Sequence, residues 1–178
     1  MVALAVWLFT RSDGTKPVPV VPPADATTAT TATVEADPTK AAGDAYVAFE
    51  KAVAEAGEIP DPDAPSLRAT ATGQALTDAV EQLRAWKLSG RVIRAVGPVT
   101  GGVRVIGSSL STEGAQVRAC EVNDDQVVIA DTGKVVNADV VTRLYDVTLV
   151  KDGDSWKVSQ IRVLDRWEGV AGCASGQA

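Results

Sequence analysis

The chain contains no histidine in its 178 residues. That removes Ser-His-Asp triads, Cys-His dyads and every imidazole metal site from consideration. There are two cysteines, Cys120 and Cys173, too few to build a zinc site by themselves. Aromatic residues are only 4% of the chain, so a core must come from Val, Ala, Leu and Ile, which the 46% hydrophobic content allows. Positive charge is also short. The formal net charge is −6, which disfavours nucleic acid and anionic lipid headgroups as ligands. Long apolar runs are missing. The longest, "MVALAVWLF" at residues 1–9, falls well below the roughly 20 residues of a membrane-spanning helix. It lacks a basic n-region and a small-residue cleavage pattern, so it is not a whole signal peptide. Two readings stand: a remnant of a membrane anchor or signal helix that starts further upstream, or a short hydrophobic terminus with no role. Arg11 and Lys16 follow the run, which by the positive-inside rule weighs against export.

Residues 10–36 are rich in Pro, Thr and Ala. Such a segment buries too little apolar area to offset its ordering entropy, so it reads as a disordered linker. The folded part is expected over 37–178. "DPTKAAGDAYVAFEKAVAEAG" reads as a helix, with Asp37 as N-cap, Pro38 in the first turn and Gly57 as the stop. Ala42, Tyr46, Phe49 and Val53 form one apolar stripe. A second helical stretch runs from about Leu67 to Leu88, bent or split at Gly73, with Leu76, Ala79, Val80 and Leu83 inward. From Arg91 the period changes to two. Alternation places Val103, Val117, Ala119, Tyr145, Val147, Leu149, Ile161 and Val163 inward, and Arg104, Ile106, Arg118, Cys120 and Arg162 outward. Helices followed by strands predict an α+β fold, the helices packed on one face of a curved antiparallel sheet.

The helix "LRATATGQALTDAVEQLRAWKLSG", the Cys120 strand and the closing hairpin "YDVTLVKDGDSWKVSQIRV" carry a resemblance. The residues concerned are Ala71, Thr72, Gly73, Ala75, Leu76, Cys120, Asp124, Asp125, Thr132, Gly133, Gly153, Trp156 and Val158. Over about 37–173 the chain resembles the nuclear-transport-factor-2-like, cystatin-like α+β cone superfamily. Within it, the chain is similar to secreted or membrane-anchored actinobacterial domains. That fold hosts dehydratases, isomerases, polyketide cyclases, transport factors and secretion-system assembly proteins. The resemblance implies that acid/base residues, where present, sit inside the cone between helix and sheet. Related isomerases use Tyr and Asp there; the His-Asp pair of dehydratases is closed to this chain.

Tyr46 with Asp78 and Asp146 is the one catalytic constellation left, and it is weak. Asp146 alternates with Tyr145 and Val147 and should point away from the core. Asp78 sits beside the Leu76/Val80 face, and Tyr46 reads more simply as a core aromatic. Cys120 and Cys173 are expected to form a disulfide tying the C-terminal tail across the outer face; the alternative is two free thiols. Arg104, Arg118 and Arg162 share the outer face, where Glu121 and Asp146 are available to pair with them. That face is also a candidate homodimer surface. Asn123, Asp124, Asp125 and Asp131 lack the spacing of a calcium loop. Asp152-Gly153 reads as the tight turn of the last hairpin. No cofactor or metal is implied. The expected function is a non-catalytic, extracytoplasmic protein-interaction or scaffold domain tethered to the membrane by its N-terminal segment. It would serve a cell-envelope or secretion/conjugation assembly through an unknown protein partner. The alternative is a small cone enzyme or ligand-binding protein of the isomerase/dehydratase type.

Overall fold

The computed structural model describes residues 37–96 and 102–173. The apolar run at 1–9, the linker at 10–36 and residues 97–101 and 174–178 lie outside the described residues. Among the described residues, no helix is long and apolar enough to cross a membrane.

Helix α1 spans Pro38–Glu58. Asp37 caps it, its Oδ1 accepting from the Thr39 amide at 2.9 Å, with Pro38 in the first turn. Ala42, Tyr46, Phe49, Ala52 and Ala56 fall on one buried face. Gly57 does not stop the helix. It lies within it, buried, where a Cβ would stand 2.5 Å from Ile93 Cδ1. The second helical stretch is split as Gly73 foreshadows: α2 spans Pro65–Thr70 and α3 spans Gly73–Ser89. Between them Ala71 bridges Val158, and the Thr72 amide donates to the Val158 carbonyl at 2.8 Å. That contact anchors the start of α3 to the sheet. Ala75, Ala79 and Leu83 are its buried positions; Leu76 and Val80 are only half-buried.

Among the described residues seven strands follow: β1 Arg91–Arg94, β2 Gly102–Leu110, β3 Ala115–Asn123, β4 Gln126–Ile129, β5 Val135–Asn137, β6 Val141–Asp152 and β7 Ser155–Glu168. They form two antiparallel sheets, not one, ordered β2-β3-β6-β7 and β1-β4-β5. The helices pack on one face of the larger sheet, α1 over β2 and β3 and both α1 and α3 over β7, while their C-terminal turns meet β1. The fold is α+β with helices preceding a curved antiparallel sheet. Period-two alternation holds along β3, where Ala115, Val117 and Ala119 are buried and Gln116 and Arg118 exposed. Val163 departs from its expected environment. It is cross-strand to Tyr145 yet 53% exposed, because the β7 residues that the helices cover come earlier, around Val158. Bulges at Val105/Gly107 in β2 and at Leu144/Tyr145 and Thr148/Leu149 against β7 re-aim the edges.

The closing hairpin turns one residue later than Asp152-Gly153. Asp152 is still paired with Ser155, so Gly153 and Asp154 form the two-residue loop. Gly153 has φ +61°, whereas Asp154 stays negative, the backbone signature of a type II′ turn with glycine first. Asp152 pairs with Lys157 at 2.6 Å, and Lys151 lies over the Trp156 ring at 5.2 Å. Both hairpin carboxylates are turn chemistry.

Candidate functional site

Parity explains which polar side chains enter the space between α1 and the sheet. Glu50 lies one turn after Tyr46 on α1, so it borders the buried stripe. Glu121 continues the inward series Val117, Ala119 along β3. Arg143 is directly cross-strand to Glu121, and Tyr145 to Ala119. These residues gather on the helix-covered side. Glu121 is therefore not the outer-face partner of the arginines that simple proximity in sequence suggests.

Tyr46 is fully buried. Its hydroxyl abuts Glu50 yet has no hydrogen bond of good geometry. Burial, reinforced by the nearby Glu50 and Glu121 carboxylates, pushes the phenol far above its ordinary range. Tyr145 is raised by burial and by Glu121 as well. Neither tyrosine ionises under ordinary conditions. Glu50 is pushed up to about 7, first by burial and then by Glu121, with Tyr46 and Arg143 opposing. A carboxyl in that state can hold or release a proton near neutrality.

Glu50 and Glu121 open onto a cleft of about 370 Å³ between α1 and the ends of β2 and β3. Val47, Val53, Ile93 and Val103 form its apolar walls. Asp124 and Asp125, in the loop between β3 and β4, complete its rim, and burial raises the Asp125 carboxyl. Lys51 is the cleft's basic residue. No cluster of metal-ligating side chains occurs among the described residues.

The constellation of Tyr46 with Asp78 and Asp146 is not assembled. Asp78 is exposed on α3 and accepts from Gln74 at 2.7 Å. Asp146 lies on the opposite face of the sheet, paired with Arg162 at 2.6 Å. Sequence reasoning missed Glu50 and Glu121 as site residues. The signal for Glu121 was its place in the inward series, and for Glu50 its one-turn spacing from Tyr46.

The outer face is organised by a covalent link. Cys120 and Cys173 form a disulfide with Cα atoms 6.1 Å apart. The tail reaches Cys173 by crossing Thr142, whose hydroxyl donates to the Gly169 carbonyl at 2.7 Å. Arg104 donates to the Cys173 carbonyl at 2.7 Å. Of the arginine stripe, Arg104 thus holds the tail and Arg162 holds Asp146. Arg118 is exposed beside a shallow depression with Ile106 and Gln116.

No family model and no curated protein matches the chain. Among solved structures, it is similar to the intermembrane space region of the chloroplast protein ARC6, with a TM-score of 0.56 at 16% identity. The match covers 71% of this chain and 95% of that one. At such identity the likeness is one of fold.

Proposed function

We propose that the chain is a non-catalytic, extracytoplasmic protein-interaction domain, tethered by its N-terminal segment and serving a cell-envelope assembly. The observation that carries this reading is the filled interior. Tyr46, Leu67, Leu83, Val117, Val147, Leu149 and Val158 are fully buried between helices and sheet, so the tyrosine ring is packed within a hydrocarbon core. The Cys120–Cys173 disulfide supports an oxidising compartment. A similar fold in an intermembrane space region is in keeping with it. The resemblance to the nuclear-transport-factor-2-like cone, and to its assembly proteins, is the basis for a secretion or conjugation role. Self-association through the outer face around Arg118 belongs to the same reading.

The test uses intact cells. Ser109→Cys should react with a membrane-impermeant maleimide, and a photo-crosslinker at Ile106 should give discrete adducts. Failure of labelling would remove the extracytoplasmic placement, and failure of cross-linking the interaction role.

A second reading, a small isomerase or ligand-binding protein, is favoured by one observation: Glu50, held near pKa 7, on an apolar-walled cleft beside Tyr46. It requires Glu50-dependent exchange of the α-protons of a bound ketone, followed by NMR in deuterated water.

A further inference from the structure

We propose that the cleft between α1 and the β2–β3 ends receives a single cationic group on an apolar stem, an alkylammonium or guanidinium. The charge sits between Glu50 and Glu121, and the stem lies along Val47, Val53, Ile93 and Val103. This site stands on the cleft alone and goes beyond the scaffold reading.

Three observations converge on it. First, charge is unbalanced. Glu50, Glu121, Asp124 and Asp125 line the cleft, and Lys51 is its basic residue. None of these four carboxylates takes part in an ion pair among the described residues. Lys51 is turned to Glu55, 3.6 Å away. Arg143 is in register with Glu121 and favours the charged form of Glu50 through space, but it forms no ion pair among the described residues. Second, the buried Tyr46 hydroxyl lies against Glu50 but makes no hydrogen bond of good geometry with it. A cation that holds Glu50 ionised turns that carboxylate into a strong acceptor for the hydroxyl, satisfying a group whose burial is otherwise costly. Third, the walls are apolar and the volume, about 370 Å³, suits a small ligand or one long side chain with its flanks. A bare divalent cation fits less well, since it needs six or more oxygens and no three metal-ligating side chains cluster closely enough among the described residues.

The chemistry is shared by a free small amine and by a lysine or arginine presented by a protein, and the experiment separates the two. The ¹⁵N-labelled, oxidised full chain is titrated at pH 8 with hexylammonium and with acetyl-Leu-Lys-Leu-amide, and with hexanol and hexanoate as controls. Saturable amide shifts are expected at 47–54, 102–103 and 121–125 with the cations. The cation that binds more tightly assigns the source. Glu121→Gln should weaken binding about ten-fold or more, the value of one charge-assisted contact. Lys51→Gln should tighten it and serves as the variant least exposed to folding defects. Binding should weaken at pH 5, where Glu50 is protonated beside Tyr46, Glu121, Arg143 and Tyr145. Equal binding of hexanol or hexanoate overturns the proposal. So does survival of the shifts in Glu50→Gln/Glu121→Gln, or absence of saturation by about 50 mM, beyond which an affinity carries no specificity.

Discussion

Replacing Glu50 by glutamine should raise stability, and by an amount that grows with pH. The effect arises from proton linkage. Glu50 has a folded pKa of about 7 against 4.5 for the free side chain. The folded state therefore keeps a proton that the unfolded chain releases. Stability from this group is complete below about pH 4.5 and is lost as pH rises towards 7. A difference of about 2.5 units is worth about 3 kcal/mol at most. Glutamine mimics the protonated form at every pH, so it avoids the loss. The advantage of the variant should be near zero at pH 4 and approach about 3 kcal/mol at pH 8. For a domain of this size that is a Tm increase of about 6–12 °C. Urea denaturation of both proteins at several pH values from 4 to 9 measures it, and taking the difference cancels the contributions of other carboxylates. A pH-independent difference, or a glutamine variant less stable than the parent at pH 8, would refute the buried-carboxyl argument. The first outcome would mean that water reaches Glu50 freely; the second, that its charge is already neutralised by Arg143.

Cys120→Ser/Cys173→Ser should cost about 4 kcal/mol by the chain-entropy relation for a 53-residue separation, read as a lower urea midpoint than the oxidised parent. Gly153→Ala should cost about 1 kcal/mol, because φ is positive there and no atom lies within 4 Å, so the whole effect is conformational. Gly153→Asn should recover part of that loss in the same thermal melts. Gly172→Ala should unseat the tail. Its Cβ would meet the Trp167 ring at 2.5 Å and Thr142 Cβ at 2.7 Å, with an overpacking cost of about 1–3 kcal/mol and a change in tryptophan fluorescence. An unchanged melt and spectrum would show that the tail is not seated there.

Much of the fold was legible because the chain speaks one language at a time. The Asp37-Pro38 start, the break at Gly73 and the switch to alternation after Gly90 are local signals, and the local structure follows them. What local signals do not carry is length of cover. Val163 has the parity of a core residue, but exposure depends on how far α1 and α3 reach along β7. Division of the strands into two sheets is likewise a matter of partners, not of pattern. The hairpin turn was misplaced by one residue because Asp-Gly suits the two loop positions of a type I′ turn, whereas pairing of Asp152 with Ser155 selects type II′. The site was less legible than the fold. Searching for aspartates near Tyr46 led to Asp78 and Asp146, one exposed and one on the far face. The glutamates that adjoin Tyr46 come from one helical turn away and from a strand 75 residues later, as register alone decides.

The covalent link between β3 and the tail also governs how the domain bears load. Cys120 lies in a central strand of the larger sheet, and the chain from there to Cys173 is closed into a loop. A pull applied beyond Cys173 enters the sheet at β3 and bypasses β4 to β7 entirely. The 53-residue separation, at about 3.4 Å per residue, hides roughly 180 Å of contour length from any such force. In the oxidised state the long β6–β7 hairpin cannot be unzipped from its end.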